Sequence, residues 1–157
     1  MCQSDSILIW NSNLDLDSVS WWSNGLKIGD SDSLFFNETM EGTYEITSFI
    51  WDNACLDTVE LNSPVVINPR TIADFSIAQG NDTIRPLEII EVINNSDDES
   101  YEWSFQGEQN TDQNPEFMSE IEGDFCLTLV TNNSFNCRDT FTYCFPVYDN
   151  LELITTN

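Results

Sequence analysis

The segment Glu41-Gly-Thr-Tyr-Glu-Ile-Thr47 returns in the second half of the chain as Glu122-Gly-Asp-Phe-Cys-Leu-Thr128, and Asn53-Ala-Cys-Leu-Asp-Thr58 returns as Phe135-Asn-Cys-Arg-Asp-Thr140, after a slightly longer turn. Upstream, Ser18-Val-Ser-Trp21 matches Ser100-Tyr-Glu-Trp103 and Gly25 matches Gly107, so Cys55 follows Trp21 at the same interval at which Cys137 follows Trp103. Each copy of an internal repeat is one folding unit, and a period of about 80 residues is too long for a solenoid but suits a small sandwich domain. The 157 residues are therefore expected to form two domains, 1–69 and 70–157.

The stretch from Glu122 to Val147 carries the clearest local pattern. Phe125, Leu127 and Leu129 alternate with other residues, Asn132 to Asn136 interrupts, and Phe141, Tyr143 and Phe145 resume. That is the period of two expected of a β-hairpin. With the turn centred near residue 135, Cys126 faces Cys144, Phe125 faces Phe145, Leu127 faces Tyr143 and Leu129 faces Phe141. This register keeps the large apolar side chains on one face. Directly opposed Cβ atoms lie about 5 Å apart, so a Cys126 to Cys144 disulfide is expected after a small local closing of the hairpin. Cys137 falls in the turn and is expected to be the odd thiol. Cys2, opening the first strand, is expected to pair with Cys55 in the last turn of its domain.

Read in order, the first copy offers strands at 5–10, 19–22, 34–36, Thr43 to Trp51 and Thr58 to Ile67, with Pro64 marking the last as an edge or bulged strand. The second offers 73–77, 87–93, 101–105 and the hairpin, with a loop at Asn114-Pro115; Leu151 to Thr155 reads as one further strand. Frequent turn signals without helical periodicity indicate an all-β chain of two tandem β-sandwiches. The junction Asn68-Pro-Arg-Thr71 is short and contains a proline, which predicts a stiff, extended arrangement.

Charge and residue types exclude several functions. With 28 acidic and 4 basic residues the net charge is −24, a surface that repels nucleic acid and anionic membranes. No apolar run approaches the roughly 18 residues of a membrane span, so no direct membrane insertion is expected. The acidic residues are interspersed with aromatic and β-branched ones, unlike a disordered acidic tail. Five cysteines without a single histidine fit disulfides in an oxidising compartment better than a zinc knuckle. The lack of histidine also removes the base of a Ser/His or Cys/His nucleophile, and no spacing singles out a carboxylate pair, so the chain is expected not to be an enzyme. There is no signal peptide with a basic start. Met1 followed at once by Cys2 reads as a start placed on a segment of a longer protein, with any targeting sequence outside it.

Two kinds of residue are candidates for binding. Trp21 and Trp22 are adjacent on a strand, so one points out of the core, where it either stacks on a sugar ring or packs under a loop. Asp15-Leu-Asp17, Asp30-Ser-Asp32 and Asn95-Ser-Asp-Asp98 supply the hard oxygen ligands that Ca²⁺ prefers, without the twelve-residue spacing of an EF-hand; the same residues also make turns.

Ala73-Asp-Phe-Ser76, Ile93-Asn-Asn-Ser96, Tyr101-Glu-Trp-Ser-Phe105, Asn114-Pro-Glu-Phe117, Glu122-Gly-Asp-Phe-Cys-Leu-Thr-Leu129 and Asn136-Cys-Arg-Asp-Thr140 resemble successive motifs of a polycystic-kidney-disease-type (PKD) domain over residues 73–149. Residues 2–67 resemble a companion immunoglobulin-like module. The pair is similar to modules of large Bacteroidota cell-surface proteins, adhesins or gliding-motility proteins exported by type IX secretion. The resemblance implies an extracellular, cell-surface location and a non-catalytic stalk or adhesive role, with a glycan or protein and the neighbouring domains of the same chain as partners. A carbohydrate-binding module appended to a secreted enzyme is the alternative. It further implies calcium at Asn95, Asp97 and Asp98, no other cofactor, and O-glycosylation at Ser6, Ser18, Ser33, Thr58 and Thr83, each between an Asp and an aliphatic residue. Gln106-Gly-Glu108 departs from the Gly-Asp-Gly usual after the Trp-Ser-Phe strand.

Overall fold

Long strands such as Ser18–Ser23, Ile46–Asp52 and Gly123–Asn132 turn every second residue inward, and which residues those are decides how the sheets stack. The computed structural model describes residues 1–11, 17–78, 80, 84–96 and 98–149. They divide into two compact units, Met1–Arg70 and a second beginning at Thr71, with the division inside the Asn68 to Thr71 segment. No helix among the described residues is long and apolar enough to cross a membrane.

Unit 1 contains β1 (Ile7–Trp10), β2 (Ser18–Ser23), β3 (Leu26–Asp30), β4 (Ser33–Phe36), β5 (Gly42–Tyr44), β6 (Ile46–Asp52), β7 (Cys55–Glu60) and β8 (Val65–Ile67). One layer is the antiparallel sheet β3-β2-β6-β7; the two-stranded pairs β1-β4 and β5-β8 complete the sandwich. Ile9, Val19, Trp21, Phe36, Ile46, Val65 and Ile67 form its core. The stretch Thr43 to Trp51, expected as one strand, is split at Glu45: Gly42–Tyr44 pairs with β8, whereas Ile46–Asp52 pairs with β2 and β7. Its partner is divided to match, because Asn62-Ser-Pro64 supplies no regular ladder between β7 and β8. The short β3 is an addition to the strands expected from the sequence. It follows β2 through Asn24 and Gly25, both at positive φ, the conformation of a tight hairpin turn.

Unit 2 contains β9 (Phe75–Ile77), β10 (Ile89–Asn94), β11 (Ser100–Phe105), β12 (Glu108–Asn110), β13 (Glu116–Met118), β14 (Gly123–Asn132) and β15 (Arg138–Val147). Sheets β13-β10-β9 and β12-β11-β14-β15 enclose a core that includes Phe75, Ile90, Trp103, Phe105, Leu127, Leu129 and Phe145. The β14–β15 register is the expected one, with Cys126 opposite Cys144, Phe125 opposite Phe145, Leu127 opposite Tyr143 and Leu129 opposite Phe141. Gln106 and Gly107 both take positive φ between β11 and β12, so the departure from Gly-Asp-Gly still makes a tight hairpin turn. Strands β12 and β13, in a region expected to be loop, are too short to carry a periodic signal.

The two copies use their shared tryptophan alike. Trp21 and Trp103 are buried, and each indole N–H donates to a backbone carbonyl beyond the next hairpin, Ser31 at 2.7 Å and Asp112 at 2.9 Å. The repeated Glu-Gly also has a steric reason. Gly123 sits at φ +150° beneath the Phe125 ring, and a Cβ there would lie 3.2 Å from its Cζ. Gly123→Ala is therefore expected to destabilise unit 2 by about 1–2 kcal/mol through backbone strain and ring displacement, read as a lower urea midpoint.

Of the cysteine expectations, the Cys126–Cys144 disulfide is present, with Cα atoms 4.0 Å apart. The other two fail. Cys55 is a free, exposed thiol, and Cys2 and Cys137 are each disulfide-bonded. Cys2 bridges Asn68, next to the Gly42–Ile67 end of the β5-β8 pair, whereas Cys55 pairs with Asp52 at the far end of β6. A strand of that length spans about 20 Å, well beyond the roughly 7 Å limit on Cα separation across a disulfide. Cys137 lies buried in the turn, its N–H donating to Asn133 Oδ1 at 3.1 Å.

Candidate functional site

The face of the β3-β2-β6-β7 sheet that points away from the core is the most chemically distinctive surface of unit 1. Along β2, Val19, Trp21 and Ser23 face inward, which turns Ser18, Ser20 and Trp22 outward. Along β6, Ile46, Ser48 and Ile50 face inward, which turns Thr47, Phe49 and Trp51 outward. The registers then set Trp22 beside Thr47, Ser20 beside Phe49, Ser18 beside Trp51, and on β7 Leu56 beside Trp51 and Thr58 beside Phe49.

Trp22 and Phe49 meet edge to face, with ring centroids 5.6 Å apart at 76°. The Trp22 indole N–H donates to Ser20 Oγ at 3.2 Å, which fixes the ring plane. Trp51 and Leu56 are 46% and 52% exposed. These residues, with Gly25 and the hydroxyls of Ser20 and Thr47, line a shallow cleft of about 470 Å³. Beside it the Lys27 ammonium pairs with Asp30 at 2.7 Å, so that cation is already matched. Rings with hydroxyls between them stack on the C–H face of a sugar or on an apolar side chain and satisfy its polar edge.

Only one of the two expected tryptophans belongs to this face. Trp21 is in the core. Phe49, Trp51 and Leu56 were missed by the sequence reading, although the alternation that turns Trp22 outward turns them outward too, once the strand register is known.

The remaining candidates scatter. Asn95 is held to Asp74 by Asn95 N–H to Asp74 O at 3.0 Å and Asn95 Nδ2 to Asp74 Oδ2 at 3.4 Å. The carbonyl of Asp98 accepts from the Tyr101 hydroxyl at 2.6 Å. Asp97 lies outside the described residues, and among those described no group of three His, Cys, Asp or Glu is placed to hold a metal ion. Ser6, Ser18, Ser33 and Thr58 are exposed, the first just before β1 and the next two opening β2 and β4; Thr83 and the Leu151 to Thr155 segment lie outside the described residues.

No family model and no curated protein matches this chain. Solved structures similar to it are the PKD1 domain of the Vibrio cholerae metalloprotease PrtV (22% identity, TM-score 0.43, covering 51% of this chain and 99% of that one) and the PKD1 domain of Vibrio anguillarum Epp (22%, 0.44, 52% and 96%). The fibronectin(III)-like modules of Clostridium thermocellum CbhA are similar over the whole chain (12%, 0.44, 100% and 93%). At these values the likeness is one of architecture and assigns no ligand.

Proposed function

We propose that this chain is a non-catalytic segment of an extracellular, cell-surface protein, a stalk or adhesive module whose contact surface is the Trp22, Phe49 and Trp51 face of unit 1. The observation that carries the adhesive part is that face. Three aromatic rings on adjacent positions of one sheet, left outward among hydroxyls, are unusual where a solvated surface would serve. The extracellular part rests on the cysteines: a Cys126–Cys144 bridge, with Cys2 and Cys137 also oxidised, is the state of a protein kept outside a reducing cytosol. Membership among exported Bacteroidota adhesins or gliding proteins rests on the motif resemblance alone.

The second reading, a carbohydrate-binding module, is favoured by the same rings, because stacking with hydroxyls nearby is how sugars are held. Ser18 and Thr58 flank Trp51 and Phe49 on this face, so a glycan attached at either would shade the cleft; the test therefore uses unglycosylated protein. On a broad glycan array, binding that falls at least about tenfold in Trp22→Ala and in Trp51→Ala, a loss in the range for one stacked ring, would establish the carbohydrate reading. Silence across the array, with unchanged folding of both variants, would leave the stalk reading.

A further inference from the structure

In unit 2, β9 completes the sandwich. Val92, Ile93 and Asn94 pair with Ile77, Ser76 and Phe75, and the Phe75 ring drops between Trp103 and Phe141, 5.2 Å from each. The internal repeat maps every one of these acceptor positions onto unit 1. The pair Ile90–Phe117 corresponds to Ile7–Phe36, since Phe117 and Phe36 are equally buried and stand at the same interval before the repeated Glu-Gly. Val92 to Asn94 then correspond to Ile9, Trp10 and Asn11, while Trp103 and Phe141 correspond to Trp21 and Val59.

In unit 1 no strand occupies that place among the described residues. Among the described strands β1 pairs with β4 alone. Asn11 N–H bonds to Asp32 O, which shows that odd-numbered residues of β1 direct their backbone toward β4; alternation directs the N–H and C=O groups of Leu8 and Trp10 the other way, into the open edge. Beside that edge lies a cleft of about 430 Å³ lined by Ile9, Trp10, Trp21, Ile46, Val59 and Leu61. Val59 illustrates the difference between the units. It stands opposite buried Ser48 and so points to the inner side of the sheet, yet it is 47% exposed because none of the described residues covers it as Phe75 covers Phe141.

We infer that this cleft is an acceptor for a donated β-strand: an extended peptide segment, supplied from outside unit 1, with an aromatic residue and, two positions on, an aliphatic one. The strand runs antiparallel to β1, bonds to the outward backbone groups of Leu8 and Trp10, sets its aliphatic side chain against Ile9 and drops its aromatic ring between Trp21 and Val59. This is strand addition, in which main-chain bonds give affinity and alternate side-chain pockets give selectivity. The occupied equivalent in unit 2 identifies the chemistry of the occupant.

The test is a fusion of a second copy of residues 71–83 ahead of Met1, which reproduces the spacing between β9 and the rest of unit 2. Amide exchange at Leu8 and Trp10 is expected to slow at least about tenfold, and the melting of unit 1 to rise by about 5 °C. The same fusion with Asp at the copied Phe75 and Ile77 positions is expected to exchange and melt like the unfused chain. Unchanged exchange at Leu8 and Trp10 in the first fusion, or equal slowing in both, would overturn the proposal. So would protection of these two amides in the unfused chain by added oligosaccharide, or with rising protein concentration, which would give the cleft to a sugar or to a second copy.

Discussion

Trp103→Ala is expected to destabilise unit 2 by about 3–5 kcal/mol, the usual range for deleting a large buried aromatic. Trp103 is 1% exposed, packs edge-on against Phe75 and donates to Asp112 O. Its removal therefore opens a cavity at the centre of the core and leaves a carbonyl without its donor. A unit of this size holds only about 4–13 kcal/mol in all, so the variant should show a large drop in urea midpoint followed by near-UV circular dichroism. Trp103→Phe keeps most of the ring and should lose about 1–2 kcal/mol, mainly the hydrogen bond and a small void. The matched change Trp21→Ala in unit 1 should cost less than Trp103→Ala, because Trp21 already borders an open cleft and less packing is forfeited. Equal losses at the two sites would contradict the difference between the two cores.

Removing the hairpin bridge is the second large effect. Cys126 and Cys144 are separated by 18 residues, and a loop of that length is worth about 3 kcal/mol through restriction of the unfolded chain. The double variant Cys126→Ser and Cys144→Ser should lose about that much from unit 2, with the β14–β15 register retained because Leu127, Leu129 and Phe145 stay buried. Chemical denaturation compared with the parent under non-reducing conditions measures it. A thiol reagent applied to the native parent should modify Cys55 alone, and modification of Cys137 in the folded chain would overturn its assignment as bonded.

What was legible beforehand follows from the range over which each signal acts. Period-two alternation and the position of a turn are local, and together they set which residues oppose each other in one hairpin. This is why the Cys126 to Cys144 pairing and the whole β14–β15 ladder could be read from residues 122–147. The adjacency of Trp21 and Trp22 on a strand likewise set that one of them points outward, and the burial of Trp21 with Val19 and Ser23 made it Trp22. By contrast, Cys2, Cys55 and Cys137 lie outside that hairpin ladder, in a terminal bridge, at the first residue of β7 and in a turn, where its register places no constraint on a disulfide partner.

The amino-acid sequence by itself determined the all-β class, the repeat with its matched Trp21 and Trp103, and the register of the closing hairpin, because each is encoded by short-range periodicity and turn chemistry. Only the tertiary structure decided that Thr43 to Trp51 changes partners at Glu45, that Phe49, Trp51 and Leu56 join Trp22 on one exposed face, and that the Ile9, Trp21 and Val59 cleft of unit 1 stands where β9 fills unit 2. Those outcomes depend on which strands stack and pair across long loops. That choice is made by the burial of whole sheet faces, and no single segment carries a local signature of it.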